Sequence, residues 1–190
     1  MKYDIILAGV GGQGVLSVSA IIASSAMKEG LFVKQSEVHG MSQRGGAVLA
    51  NLRLADAPIA SDLIPLGSAS MILSMEPLES LRYLKYLSTD GAVITSTNPM
   101  VNIPDYPDLE ELLGHIRALP HARLVDGEKL ARAAGSARAT NMVMVGAASH
   151  HLPVKVETLE HYIQTVFAAK GEKIVETNLE AFRSGREAAA

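Results

Sequence analysis

The chain contains no cysteine and no tryptophan, only 4% aromatic residues, and no marked excess of either charge. Each absence excludes a class of protein. Without a thiolate, this chain alone builds no disulfide scaffold, holds no iron–sulfur cluster or thiolate zinc site, and has no cysteine nucleophile. Lys and Arg number 17 against 20 Asp and Glu, a net charge of −3, and the two halves of the chain are balanced alike. No basic face announces itself, which argues against nucleic acid as a partner. The apolar run Ile5-Ile6-Leu7-Ala8 is too short for a signal peptide or a membrane span, so the expected location is cytoplasmic, with no membrane partner.

What is present suits a packed domain. The 190 residues are 48% hydrophobic and 19% charged, and chains of this size bury roughly 70% of their unfolded surface. Residues 1–190 show no internal repeat, low-complexity tract or dividing linker, and are read as one domain.

Ile5–Ala8 has the fully apolar character of a strand buried on both faces. Gly9-Val10-Gly11-Gly12-Gln13-Gly14 breaks it, and Val15, Leu16, Val18, Ile21, Ile22 and Ala26 follow at helical spacing up to Gly30. Leu31-Phe32-Val33 starts a second strand, which completes a βαβ unit. Ser36 to Gly46 reads as a polar loop, and Val48 to Leu54 as an alternating strand. Further strands are expected at 71–75, 91–95 and 122–125. Leu78, Leu81, Leu84 and Leu87 predict a helix after Glu76-Pro77, since proline is tolerated at the first helical position. Other helices are expected at 108–118, 127–134, 141–151 with Thr140 as cap, 156–169, and near the middle of 173–186. Alternating strands and helices give a Rossmann-like, doubly wound α/β fold with a mostly parallel sheet flanked by helices.

Gly9, Gly11 and Gly14 satisfy G-x-G-x-x-G between a strand and a helix, where glycines let the backbone approach an anion and the helix start offers unpaired N–H groups. The carboxylate that would bind a ribose should end the second strand, yet Lys34-Gln35-Ser36 stands there and Glu37 comes late. Nucleotide binding, a non-nucleotide anion site and a simple packing turn therefore all stay open. No Gly-Lys-Ser or Gly-Lys-Thr follows, which rejects a P-loop. Asp90-Gly91 and Asp126-Gly127 lack the later asparagine of a thiamine diphosphate site. The polar loop carrying Glu37, His39, Ser42, Gln43 and Arg44 should emerge beside the glycine turn, with Arg44 and Gly45-Gly46 placed to meet a phosphate, a carboxylate or a partner chain. The six histidines have no metal spacing; His150 and His151 are adjacent and diverge by about 100° on a helix. Asp105, Asp108, Glu110 and Glu111 complement a helix start, and Met142 and Met144 are core filler. No catalytic residue and no metal ligand is assigned.

Gly9–Gly14 joined to Gln43-Arg44-Gly45-Gly46 resembles the gamma subunit of 2-oxoacid:ferredoxin oxidoreductases, including the small beta subunit of indolepyruvate oxidoreductase. The resemblance extends through Pro58-Ile59, Ile64-Pro65-Leu66-Gly67, Glu76-Pro77, Asn141 with Gly146, Lys170-Gly171 and Asn178 to Gly185. It departs from the family at Ala69-Ser70, where Ala-Asp is usual. The resemblance implies a subunit of a complex that oxidatively decarboxylates a 2-oxoacid, forms an acyl-coenzyme A and reduces ferredoxin. It implies that thiamine diphosphate, magnesium and the iron–sulfur clusters sit on other subunits, which would be this chain's partners. The ligand-contacting candidates are Gly9, Gly11, Gly12, Gln13, Gly14, Ser42, Gln43, Arg44, Gly45 and Gly46, facing an anion such as part of coenzyme A or a neighbouring subunit. A stand-alone dinucleotide-dependent oxidoreductase and a non-catalytic scaffold are the alternatives, and a homodimer is left open.

Overall fold

The structure, a computed structural model, describes residues 1–39 and 45–190. Six strands form one sheet: β1 (Lys2–Val10), β2 (Phe32–His39), β3 (Ala47–Ala55), β4 (Ala69–Ser74), β5 (Leu87–Ser96) and β6 (Ala122–Val125). Their spatial order is β2-β3-β1-β4-β5-β6. β1, β4, β5 and β6 run parallel, while β3 is antiparallel to both of its neighbours. The helices are α1 (Val15–Lys28), α2 (Pro77–Arg82), α3 (Leu109–Arg117), α4 (Gly127–Ala133), α5 (Thr140–Ala148), α6 (Val156–Phe167) and α7 (Glu172–Ala188).

The α/β reading holds, with one difference in how the sheet is wired. The β1–α1–β2 unit forms, but β2 does not hydrogen-bond to β1. β2 and β3 pair as antiparallel strands, Phe32 opposite Ala55 through to His39 opposite Val48, and β3 inserts between them. The expected loop from Ser36 is therefore strand as far as His39. Its alternating polar residues lie on an edge, where one side of the strand faces water.

Period-2 alternation sorts the strand side chains between two helical layers. Ile5, Leu7, Met71 and Leu73 face a core shared with α1, α5, α6 and α7. Ile6, Ile72 and Val93 face the smaller layer of α2 and α3, meeting Leu113 and Ile116. α5 is buried from Asn141 to Ala148 because α7 lies directly across it. A Cβ on Gly146 would fall 1.9 Å from the Phe182 carbonyl oxygen, and one on Gly185 would fall 1.9 Å from that of Val143. Only glycine lets these two backbones touch.

Several boundaries moved for identifiable reasons. α5 ends at Ala148, earlier than the hydropathy suggested, and Ser149 closes it by donating its hydroxyl to the Gly146 carbonyl. Thr140 is the first residue of that helix, and its hydroxyl is turned back onto the Ala137 carbonyl. Leu84 lies in a 3-10 turn and Leu87 begins β5, so the leucine spacing after Pro77 outlasts the helix.

Candidate functional site

α1 follows β1 onto the larger core, whereas α2 follows β4 onto the opposite face. β1 and β4 are neighbours, so their outgoing chains part and leave a crevice at the carboxyl ends of the strands. Gly9 to Gly14 lie there, and so do Gly45 and Gly46. The Gly11 N–H donates to the Gly46 carbonyl at 2.8 Å and the Gly45 N–H returns to Gly11 at 3.3 Å, which extends the β1–β3 ladder past Val10. Residues some 35 positions apart in sequence are thus held side by side by backbone hydrogen bonds.

The turn is shaped by its own residues. Gly12 and Gly14 adopt φ values of 104° and 81°, which disfavour any side chain. Gln13 locks the turn: its Oε1 accepts from the Val10 N–H at 2.8 Å and its Nε2 donates to the Met75 carbonyl at 3.2 Å. That side chain thereby ties the end of β1 to the end of β4. Gly9 allows close packing, since a Cβ there would lie 2.9 Å from Val15 Cγ2 and 3.2 Å from Met75 Cβ. α1 begins at Gly14 without a side-chain cap, and Asn141 lies over its mouth; a Cβ on Gly14 would meet Asn141 Nδ2 at 2.6 Å.

The crevice holds a cavity of about 230 Å³ whose walls include Gly12, Gln13, Met75, Ser96, Asn98 and Asn141. Asn98 braces one side. Its Oδ1 accepts from the Ser96 hydroxyl and the Glu128 N–H, both at 2.8 Å, and its Nδ2 donates to Asp126 at 3.0 Å. The segment after it is pinned over the crevice. Asn102 donates to the Gly45 carbonyl at 2.7 Å, and Tyr106 donates its hydroxyl to the buried Glu76 carboxylate. Glu76 also caps α2 through the Glu79 N–H at 2.8 Å. Burial and the adjoining Glu76 carboxylate push the Tyr106 hydroxyl well above its ordinary pKa.

Of the candidates, Gly12 and Gln13 line the cavity, while Gly11 is paired with Gly45 and Gly46 through the backbone beside it and Gly9 and Gly14 serve close packing within the turn. Ser42, Gln43 and Arg44 lie outside the described residues. Asn98, Asn102 and Arg138, which flank the same site, carry no motif of their own and were not singled out from the sequence. Glu76 and Asn141 mark helix starts in the sequence and belong to the family resemblance, but neither is among the ligand-contacting candidates. Asp108 caps α3 through the Glu111 N–H at 3.0 Å, and Met142 and Met144 are buried, in keeping with their structural assignments. Among the described residues no three His, Asp or Glu side chains converge to hold a metal ion, and no helix is long and apolar enough to cross a membrane.

Residues 4–188 match the family model described as pyruvate ferredoxin/flavodoxin oxidoreductase. The chain belongs to that family. The indolepyruvate oxidoreductase subunit IorB of Archaeoglobus fulgidus is 38% identical, over 97% of this chain and 94% of its own length. In structure, the pyruvate oxidoreductase subunit PORC of Thermotoga maritima superposes with a TM-score of 0.76 at 21% identity, covering 98% of this chain and 96% of that one. The 2-oxoglutarate:ferredoxin oxidoreductase of Magnetococcus marinus, whose structure holds 2-oxoglutarate, coenzyme A and succinyl-CoA, gives 0.78 at 22% identity. This chain matches 31% of that much longer polypeptide. At these identities the two structures share the fold. The similarity to gamma-type subunits that the two glycine motifs suggested is thus that of the family as a whole, and the relatives are subunits of oxidoreductases acting on 2-oxoacids.

Proposed function

We propose that residues 1–190 form the gamma-type subunit of a 2-oxoacid:ferredoxin oxidoreductase and that the crevice between β1 and β4 receives an anionic part of coenzyme A. The observation that carries this is the pairing of Gly11 with Gly46, which makes one surface of two glycine motifs at the switch point of the sheet. Such crevices are where open α/β sheets take ligands. Gly12 and Gly14 keep the turn free of side chains, Gln13 fixes its shape, and the uncapped start of α1 favours negative charge. Ser42, Gln43 and Arg44 belong to the same proposal, with Arg44 supplying the cation.

This chain's contribution is positioning. Coenzyme A, when bound, supplies the thiol that accepts the acyl group; the residues here hold it and exclude water from one side. With no cysteine, the chain leaves the iron–sulfur clusters to its partner subunits, and its Asp-Gly pairs, which lack the later asparagine, leave the thiamine diphosphate to them as well. The 38% identity to IorB supports an aromatic 2-oxoacid as the substrate of the complex.

The test replaces Gly12 with valine in the assembled complex. A Cβ there meets nothing within 4 Å, so the cost of the substitution is the backbone strain of a φ of 104°, and assembly of the complex is measured alongside to separate that strain from a loss of binding. The expected result is a raised KM for coenzyme A with the complex still assembled. An unchanged KM would remove the turn from the ligand site.

A further inference from the structure

β2 and β6 are the two edges of the sheet, and they are built differently. β6 has four residues, the short kind of edge that resists further pairing. β2 has eight, with no proline or glycine among them, and among the described residues only β3 pairs with it. Pairing on one side leaves a row of backbone N–H and C=O groups directed away from the sheet, a template for another strand. Lysine is the usual guard on such an edge, yet the Lys34 ammonium is engaged by the Ala60 carbonyl at 3.1 Å.

The side chains add an apolar pair. Phe32 is 47% exposed and Val38 is 62% exposed, and an even spacing along the strand puts both on one face. Val33 lies on the other face and packs against the larger core. Two copies of one strand pair antiparallel about a two-fold axis, so some residue must face its own copy. Lys34 or Glu37 in that place sets like charges opposite each other, which destabilises a pair. Ser36 there sets Lys34 against Val38 and leaves Phe32 with no strand residue opposite, and centres nearer either end use less of the strand. Gln35 there brings Phe32 of each copy opposite Val38 of the other, Lys34 opposite Ser36 and Val33 opposite Glu37. No like charges meet, and nearly the whole strand is used.

We infer that β2 pairs with β2 of a second copy of this chain, antiparallel and centred on Gln35. The six strands of each copy then form one continuous sheet. Phe32 and Val38 cover one another across the junction, which removes their apolar surface from water. The two-fold axis reverses strand direction, so the carboxyl ends of β1, and with them the two crevices, point in opposite directions.

The experiment uses the full-length chain, whose lack of native cysteine makes a single introduced thiol unambiguous. Sedimentation equilibrium gives the mass of two chains, with dissociation at the lowest loadings. Gln35 is exposed, and Gln35→Lys sets like charges on the axis and weakens the dimer about tenfold or more. Gln35→Glu does the same, and mixing the two variants in equal amounts restores a dimer, which a misfolded variant cannot do. Gln35→Cys cross-links to its own copy through a short bismaleimide, whereas Arg123→Cys on the opposite edge does not. A chain that stays monomeric, a dimer indifferent to Gln35→Lys, no rescue in the mixture, or cross-linking at Arg123→Cys as readily as at Gln35→Cys would overturn the inference. So would an assembled complex in which Gln35→Cys cross-links only to a different subunit, since the edge would then belong to that partner.

Discussion

Gln13 sets the shape of the glycine turn through its own hydrogen bonds. Its amide joins the Val10 N–H to the Met75 carbonyl, so Gln13→Ala leaves two backbone groups short of a partner. The expected cost is about 2 kcal/mol, read as a lowered urea midpoint. A larger effect is expected where charge is buried. Asp4 is 1% exposed and receives the Arg53 guanidinium through Nε at 2.9 Å and Nη2 at 3.0 Å, with Lys2 alongside at 3.0 Å. Arg53→Ala leaves that buried carboxylate with only the half-exposed Lys2 and should lower stability by about 3 kcal/mol in the same measurement. Glu79 tests the opposite sign. Burial raises its pKa although Arg82 pulls it down, so the folded chain binds this proton more tightly than the unfolded chain. Its contribution to stability is present at low pH and is lost as pH rises through the raised value. Glu79→Gln cannot ionise, so melting curves between about pH 4 and 7 should show the variant gaining on the wild type as pH rises. A constant difference across that range would contradict the shift. At this scale the glycines and Asp108 were legible in the sequence because their roles are local. Asn98, Asn102 and Arg138 were not, since each acts through a fold that brings together residues far apart in the chain.

Among the elements, α5 and α7 pack backbone against backbone at Gly146 and Gly185. Gly146→Ala or Gly185→Ala drives a methyl group into a carbonyl oxygen at 1.9 Å, and the helices must separate. The expected loss is about 3 kcal/mol or more, seen as a drop in melting temperature for either variant. Because Asn141 opens the same helix and lies over the mouth of α1, that separation should also disturb the crevice. Hydropathy revealed α5 as a buried helix but said nothing of its partner, because glycine carries no apolar signal. The β2–β3 pair illustrates a similar limit. The alternation from Val48 to Leu54 marked a strand, whereas the insertion of β3 between β1 and β2 depends on pairing, which residue spacing does not encode. The polar side chains from Ser36 to His39 suggested a loop because an edge strand has little apolar surface to bury.

For the whole molecule, the alternation of strands and helices indicated the class of fold, and the glycine motifs indicated where the proposed site lies. Tertiary contacts alone showed that the two motifs share backbone hydrogen bonds. The central claim is that this chain positions an acyl acceptor for redox chemistry performed on other subunits. The direct measurement is 2-oxoacid-dependent formation of acyl-coenzyme A by the purified catalytic subunits, with and without this chain. The account predicts that omitting the chain lowers the rate by roughly 100-fold or more, as loss of positioning does, and that adding it back restores the rate. Equal rates in both mixtures, or oxidation of a 2-oxoacid by this chain alone, would contradict it.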